Sequence, residues 1–136
     1  MIECLSHITF TVRNADKTAE LFKKIFNAKE VYYNGEKKHS LFKERFFMIG
    51  GQCITVIQDR NTINRTYHHL AFKISNFDGE SYLEKIKNLN LELRKPMNRS
   101  IDKEYSIYFY DYDNNLFELH TETLEKRLAS YRECNK

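Results

Sequence analysis

The run Ser106-Ile107-Tyr108-Phe109-Tyr110-Asp111-Tyr112-Asp113-Asn114-Asn115-Leu116-Phe117-Glu118-Leu119-His120 reads as two short strands joined by a turn. Asp and Asn crowd the turn because they tolerate left-handed backbone angles and bond their own backbone. The first strand alternates Ser106, Tyr108 and Tyr110 against Ile107 and Phe109. The second alternates Leu116, Glu118 and His120 against Phe117 and Leu119. Side chains alternate across a strand, so hydroxyls, a carboxylate and an imidazole share one face. A carboxylate among aromatic residues is costly unless compensated, and a metal ion is one compensator.

The chain has 136 residues, a formal charge of +3 and three cysteines. That length suits one domain with its own core. No apolar run reaches the roughly 18 residues of a membrane span, and no signal peptide precedes the first strand, so a cytoplasmic protein without a membrane partner is expected. Cys4, Cys53 and Cys134 form no Cys-x-x-Cys pair and read as two small core residues and one tail residue. Basic residues are scattered among acidic ones, with pairs such as Lys23-Lys24 and Lys37-Lys38 the longest runs. Nucleic-acid binding needs a denser basic stripe and is discounted.

Periodicity organises the remainder. Glu3–Val12 alternates as a strand, with Ile8, Phe10 and Val12 on one face and His7, Thr9 and Thr11 on the other. Asn14 caps a helix over Ala15–Asn27, whose stripe is Ala19, Leu21, Phe22, Ile25 and Phe26. Strands follow at Lys29–Tyr33, Ser40–Ile49 and Gln52–Gln58, with turns at Asn34-Gly35 and Gly50-Gly51. Residues 59–65 read as a polar linker. The pattern then restarts with a strand over Tyr67–Ile74, a helix over Asp78–Leu89 offered caps by Asn76 and Asp78, a strand over Leu91–Leu93, a loop holding Pro96, and the opening hairpin. A terminal helix over Thr123–Arg132 turns Leu124, Leu128 and Tyr131 inward.

Sliding the second half back by 62 residues lays His69 on His7, Phe72 on Phe10, Asn76 on Asn14, Asp78 on Asp16, Leu83 on Leu21, Lys85 on Lys23 and Glu92 on Glu30. The expected fold is therefore α+β: two tandem βαβββ units (about 3–58 and 67–121) making an open, cup-shaped mixed sheet, with helices outside and a terminal helix at 123–132.

His7 and His69 fall at equivalent points on strand faces opposite the apolar ones, and Glu118 lies on the last strand. Two imidazoles and a carboxylate on rigid strands can form a facial triad with open metal positions. A lone strand histidine is more often a hydrogen-bonded structural residue; two repeat-equivalent ones with a facing carboxylate favour a metal. By the same offset Val56 takes the place of Glu118 in the first half and supplies no ligand. His68 points to the Leu70/Phe72 face as packing, His39 is a solvated residue near a turn, and His120 shares the Glu118 face, where it can orient a ligand. Glu44 shares a face with Phe42, Phe46 and Met48, so it is either salt-bridged or a base in a water-poor site. Arg94, Arg99 and Arg127, with Thr9, Ser106 and Tyr108, suit a tetrahedral dianion.

His7-x-Thr9, Tyr67-x-His69 and the Ser106–His120 run together resemble the vicinal oxygen chelate superfamily over nearly the whole chain, and within it the fosfomycin resistance proteins. The resemblance implies a homodimer whose subunits exchange halves, and Mn(II) or another divalent metal on His7, His69 and Glu118. Arg127, nine residues past Glu118, fits the family's phosphonate-binding arginine, and Thr9, Ser106 and Tyr108 match its hydroxyl contacts. Glu44, the hairpin and the Leu124-x-x-Arg127-Leu128 tail are similar to the FosX-type hydrolases, which add water to fosfomycin with Glu44 as general base. The potassium loop of the glutathione transferases is not evident in residues 96–105, which leaves open whether Arg94, Arg99 or Ser100 meets the phosphonate. The rival expectations are a thiol transferase using glutathione, bacillithiol or cysteine, an Fe(II) ring-cleaving dioxygenase, and a drug-sequestering protein without turnover.

Overall fold

In the computed structural model, which describes residues 1–35, 42–61, 63–75, 78–95 and 106–135, the chain runs β1 (Ile8–Val12), α1 (Ala15–Phe26), β2 (Lys29–Tyr33), β3 (Glu44–Ile49), β4 (Gln52–Gln58), β5 (His69–Lys73), α2 (Gly79–Asn88), β6 (Leu93–Arg94), β7 (Ser106–Tyr110), β8 (Leu116–His120) and α3 (Leu124–Cys134). The strands make two four-stranded sheets of the same order, β1-β4-β3-β2 and β5-β8-β7-β6. In each, the first and last strands of a unit pair in parallel and the rest antiparallel. The repeat seen in the sequence is thus a repeat of topology, in an α+β fold of tandem βαβββ units.

Local chemistry places the elements. Asn14 Oδ1 accepts from Lys17 N at 3.0 Å and caps α1, and Asn27 ends it in the left-handed conformation at φ 51°. Gly50 and Gly51, at φ 54° and 81°, turn β3 into β4, a geometry that side chains resist. Helix α1 buries Leu21, Phe22 and Ile25 completely or nearly so. Phe22 meets Phe47 of the first sheet at 5.3 Å and Phe117 of the second at 6.0 Å between ring centroids, so one core joins both halves. The helix-facing residues Phe10, Val12, Phe47, Ile54, Phe72, Phe109, Phe117 and Leu119 belong to it. The opposite face of each sheet is left for other work.

The structure departs from these expectations in several places. Strand β1 begins at Ile8, paired with Ile54, and His7 precedes the strand in an exposed segment. Cys4 lies in that same exposed segment and is no core residue, while Cys53 is half-buried; both are free thiols. Val56 points into the core, fully buried, and does not correspond to Glu118. Thr9, the counterpart of Ala71 under the repeat, pairs with Thr55 as Ala71 pairs with Glu118, so Thr55 takes that place. A one-residue slip between the repeats reverses the face. His68 is exposed, lining with Ile8, Phe10 and Leu70 a 460 Å³ cavity between the halves, and does not pack into the core. In α3, Leu124, Leu128 and Tyr131 are 69%, 41% and 41% exposed and no described residue of the helix is buried, so the stripe does not turn inward. His39, Asn76, Pro96, Arg99 and Ser100 lie outside the described residues.

The Asp111–Asn115 turn is a junction between the halves. Asp111 Oδ1 accepts from the backbone of Asp113 and Asn115 at 2.8 Å each, and Oδ2 accepts from Asn115 Nδ2 at 2.8 Å. Asp113 Oδ1 accepts from Arg13 N at 3.0 Å and Nε at 2.8 Å, tying the end of β1 to a turn 100 residues away. Burial raises the Asp111 carboxyl from 3.8 to about 6, against the lowering effect of its hydrogen bonds. The folded chain therefore holds this proton more tightly than the unfolded one. Its contribution is fully present below about pH 4 and is lost as pH rises through about 6, a loss on the order of 1–3 kcal/mol. Urea midpoints at pH 5 and pH 7 check this: Asp111→Asn is expected to flatten the difference seen in the parent.

Candidate metal centre

One row of the second sheet carries most of the chemistry. Arg94 on β6 is opposite Tyr108 on β7, Tyr108 is opposite Glu118 on β8, and Glu118 is beside Ala71 on β5. His69 lies one side-chain period from Ala71 on the same face, because strand residues two apart point the same way. Ala71 is small, which leaves the space in front of Glu118 to the imidazole. The alternation in the hairpin holds as read: Phe117 and Leu119 enter the core, and Glu118, 1% exposed, turns to the other face.

The geometry at Glu118 is that of a half-filled coordination shell. His69 Nδ1 lies 2.7 Å from the Tyr67 carbonyl oxygen, which can only accept, so Nδ1 carries the proton. With Nδ1 as the donor, a neutral ring would present the lone pair of Nε2, which lies 3.6 Å from Glu118 Oε2. The other oxygen, Oε1, is buried with no hydrogen-bond partner among the described residues. His120 Nδ1 stands 3.9 Å from it, too far for a hydrogen bond. Two acceptors facing each other, one of them a buried carboxylate with an orphaned oxygen, call for a cation. An imidazole and a carboxylate are the donor set that divalent transition metals take.

Aromatic hydroxyls and guanidinium groups surround this pair. The Tyr67 hydroxyl donates to the Tyr108 hydroxyl at 3.4 Å, and both rings stand edge-on to His69, at 4.9 and 5.5 Å. Burial, with Tyr67 and the Glu118 carboxylate alongside, drives the Tyr108 phenol's pKa far up, so it stays a proton donor. Arg94 lies over the Tyr67 ring at 4.7 Å. Arg127, half-buried on α3, donates to the Tyr131 hydroxyl at 3.4 Å; that bond, with the Glu118 carboxylate nearby, raises its pKa against the effect of burial. Ser106 sits on the same face at the start of β7. Tyr67 is the residue the sequence reading passed over as a contact. Its signal was position, two residues before His69 and hence on the same side of the chain.

The other predicted residues are on the first half. The exposed His7 has Nδ1 against Ser6 Oγ at 3.1 Å, and Thr9 shares a hydrogen bond of 2.5 Å with Thr55. Glu44 is half-buried on β3, on the face of Phe46 and Met48. Lys43 and Arg45 turn to the opposite side and bond Asp16 at 2.9 and 2.5 Å, and Arg45 also grips Glu30. Those cations hold Asp16 well below the usual carboxylate range. Lys43 and Arg45 are thus engaged elsewhere, and among the described residues Glu44 has no cationic partner. No group of three metal-binding side chains forms among the described residues, so a single chain brings His69 to Glu118 but not His7.

Known proteins align with both the sequence and the fold. The fosfomycin resistance protein FosX of Listeria monocytogenes is 44% identical over 133 residues, covering 98% of this chain and all of that one. FosX of Mesorhizobium japonicum is 43% identical over 129 residues, covering 95% and 93%. The metallothiol transferase FosB of Staphylococcus saprophyticus is 31% identical over 137 residues, covering 98% and 86%. A crystal structure of a variant Listeria monocytogenes FosX, complexed with Mn(II) and 1S,2S-dihydroxypropylphosphonic acid, superposes with a TM-score of 0.88 at 46% identity, covering 95% and 99%. Residues 5–119 match the model of the Glyoxalase/Bleomycin resistance protein/Dioxygenase superfamily. With that match spanning most of the chain and FosX alignments running nearly end to end, the chain belongs to this superfamily.

Proposed function

We propose that the protein is a fosfomycin resistance enzyme of the FosX type, which opens the epoxide with water to give a vicinal diol. The observation that carries the metal-dependent chemistry is the facing pair of His69 Nε2 and Glu118, with Oε1 of the carboxylate orphaned in the interior. The relatives support the substrate: the FosX structure holds Mn(II) with a dihydroxypropylphosphonic acid, the diol that water addition to an epoxypropylphosphonate produces.

In this reading His7, His69 and Glu118 hold Mn(II), which when bound supplies a Lewis acid that stabilises the alkoxide developing as the ring opens. Arg94, Arg127, Thr9, Ser106 and Tyr108 take the phosphonate oxygens and fix the direction of attack. Tyr108 donates through its hydroxyl, since its raised pKa keeps the proton in place. Glu44 takes a proton from the attacking water, whose oxygen forms the new C–O bond as the oxirane C–O bond breaks; the alkoxide then takes up a proton from solvent and Glu44 releases its own, which completes the diol. The thiol transfer of FosB-like relatives is the second reading, at 31% identity against 44% for FosX.

His7, Thr9 and Glu44 belong to the first half and the remaining residues to the second, so the site is completed by a second copy of the chain. The apolar stripe Leu124, Leu128 and Tyr131, exposed on α3, supports a covered interface. The test mixes two inactive variants, His7→Ala and Glu118→Ala. In a homodimer with shared sites, a mixed dimer has one site with both defects and one with neither. Activity is expected to return on mixing, to about half the parent's rate per mixed dimer. Failure to regain activity, with mixed dimers shown by mass spectrometry, overturns the sharing; a parent without activity on fosfomycin overturns the function itself.

A further inference from the structure

Arg94 is held in an unusual way. It sits on β6, a two-residue strand, where a long side chain has little packing to fix it. Its Nη1 donates to the Tyr110 hydroxyl at 3.3 Å while its guanidinium lies over the Tyr67 ring. The face of Tyr110 is covered in turn by the Arg65 guanidinium, 3.9 Å from the ring centroid. Arg65 is fastened from the linker side, donating through Nε to Asn114 Oδ1 at 3.0 Å and ion-paired with Glu92. Tyr110 is 7% exposed. A single phenol thus serves two guanidinium groups, one stacked and satisfied by a carboxylate, the other bonded to the hydroxyl. Among the described residues Arg94 has no carboxylate of its own.

Resting on the functional reading above, we propose that Tyr110 is a positioning residue for anion recognition. Its hydroxyl aims the Arg94 guanidinium at the phosphonate, and Arg65 acts through Tyr110 by pinning the ring. Arg65 itself does not touch the ligand. The arrangement is economical in entropy: a guanidinium fixed in advance loses less rotamer freedom when the dianion arrives. Among the described residues no carboxylate compensates the charge of Arg94, whereas Glu92 already neutralises Arg65.

The test is a calorimetric titration of fosfomycin into the Mn(II)-loaded protein, with steady-state kinetics alongside. Tyr110→Phe keeps the ring and the Arg65 stack and removes only the hydroxyl. Its Kd and KM for fosfomycin are expected to rise about 5- to 10-fold, the size of one ordinary hydrogen bond, with kcat within about twofold. Arg94→Ala is expected to weaken binding more, and Tyr110→Phe added to Arg94→Ala to change nothing further, since the hydroxyl then has no guanidinium to aim. Equal thermal midpoints for parent and Tyr110→Phe separate this from a loss of folding. Parent-like binding by Tyr110→Phe, or an effect that adds in full to Arg94→Ala, overturns the proposal while leaving hydrolysis standing. Absence of fosfomycin binding by the parent overturns the functional reading with it.

Discussion

Glu118→Gln is expected to push the protein in two opposite directions at once. Without metal the variant should be more stable than the parent, because Oε1 is a buried carboxylate oxygen with no partner among the described residues and an amide in its place carries no charge to desolvate. A gain of about 1 kcal/mol fits the cost of leaving a polar group unsatisfied. With Mn(II) present the order should reverse. The parent gains stability with metal concentration, and the variant, having lost its anionic ligand, gains little. Mn(II) affinity should fall at least about 100-fold, beyond the 10- to 100-fold typical of losing a residue that merely supports a ligand. Epoxide hydrolysis should fall with it. Differential scanning fluorimetry across a Mn(II) series reads both effects. A variant less stable than the parent without metal would show Glu118 satisfied as a structural residue, most simply by a protonated His69.

Glu44→Gln should leave metal binding and fosfomycin affinity near parental levels and cut kcat by about 10²- to 10⁴-fold, the usual contribution of a general base. The argument is one of position. Glu44 is half-buried beside Phe46 and Met48, and the adjacent cations turn away from it to Asp16 and Glu30. A carboxylate kept apart from such nearby positive charge serves poorly as a stabilising ion pair and well as a proton acceptor. Glu44→Gly should behave the same way, since the backbone there is fixed by Asn34, whose Oδ1 accepts from Glu44 N at 3.0 Å. A kcat within a few-fold of the parent in either variant would remove Glu44 from the reaction.

Much of this was legible in the residues, for identifiable reasons. The hairpin was readable because every position in Ser106–Tyr110 and Leu116–His120 obeys the two-residue period, with its turn written in Asp and Asn. The first helix was readable from Asn14 and the spacing of Leu21, Phe22 and Ile25. The register between repeats was not. A fixed offset assumes equal lengths throughout, and one extra residue before β8 moved the true counterpart of Glu118 from Val56 to Thr55. The inward stripe of α3 misled for a different cause: periodicity reports that a face is apolar, not which molecule covers it. The pairing of Arg94 with Tyr110 and Tyr67 joins parts of the chain far apart in sequence, so no spacing could have announced it.

A site completed by a second copy, as proposed, imposes a physical constraint on activity. His69 and Glu118 are preorganised by β5 and β8, and Tyr67 sets the tautomer of His69 from within its own chain. The groups from the first half need only be brought up against them. Association, metal binding and substrate binding should therefore reinforce one another, because each supplies charge or contacts that the others leave unmet.

The measurement that bears most directly on the central claim is phosphorus NMR of fosfomycin incubated with the Mn(II)-loaded protein, once without thiol and once with excess glutathione or bacillithiol. The account predicts conversion to the dihydroxypropylphosphonate in both samples, at similar rates, with no thiol adduct. Turnover that appears only when thiol is added, giving the adduct in place of the diol, would contradict it.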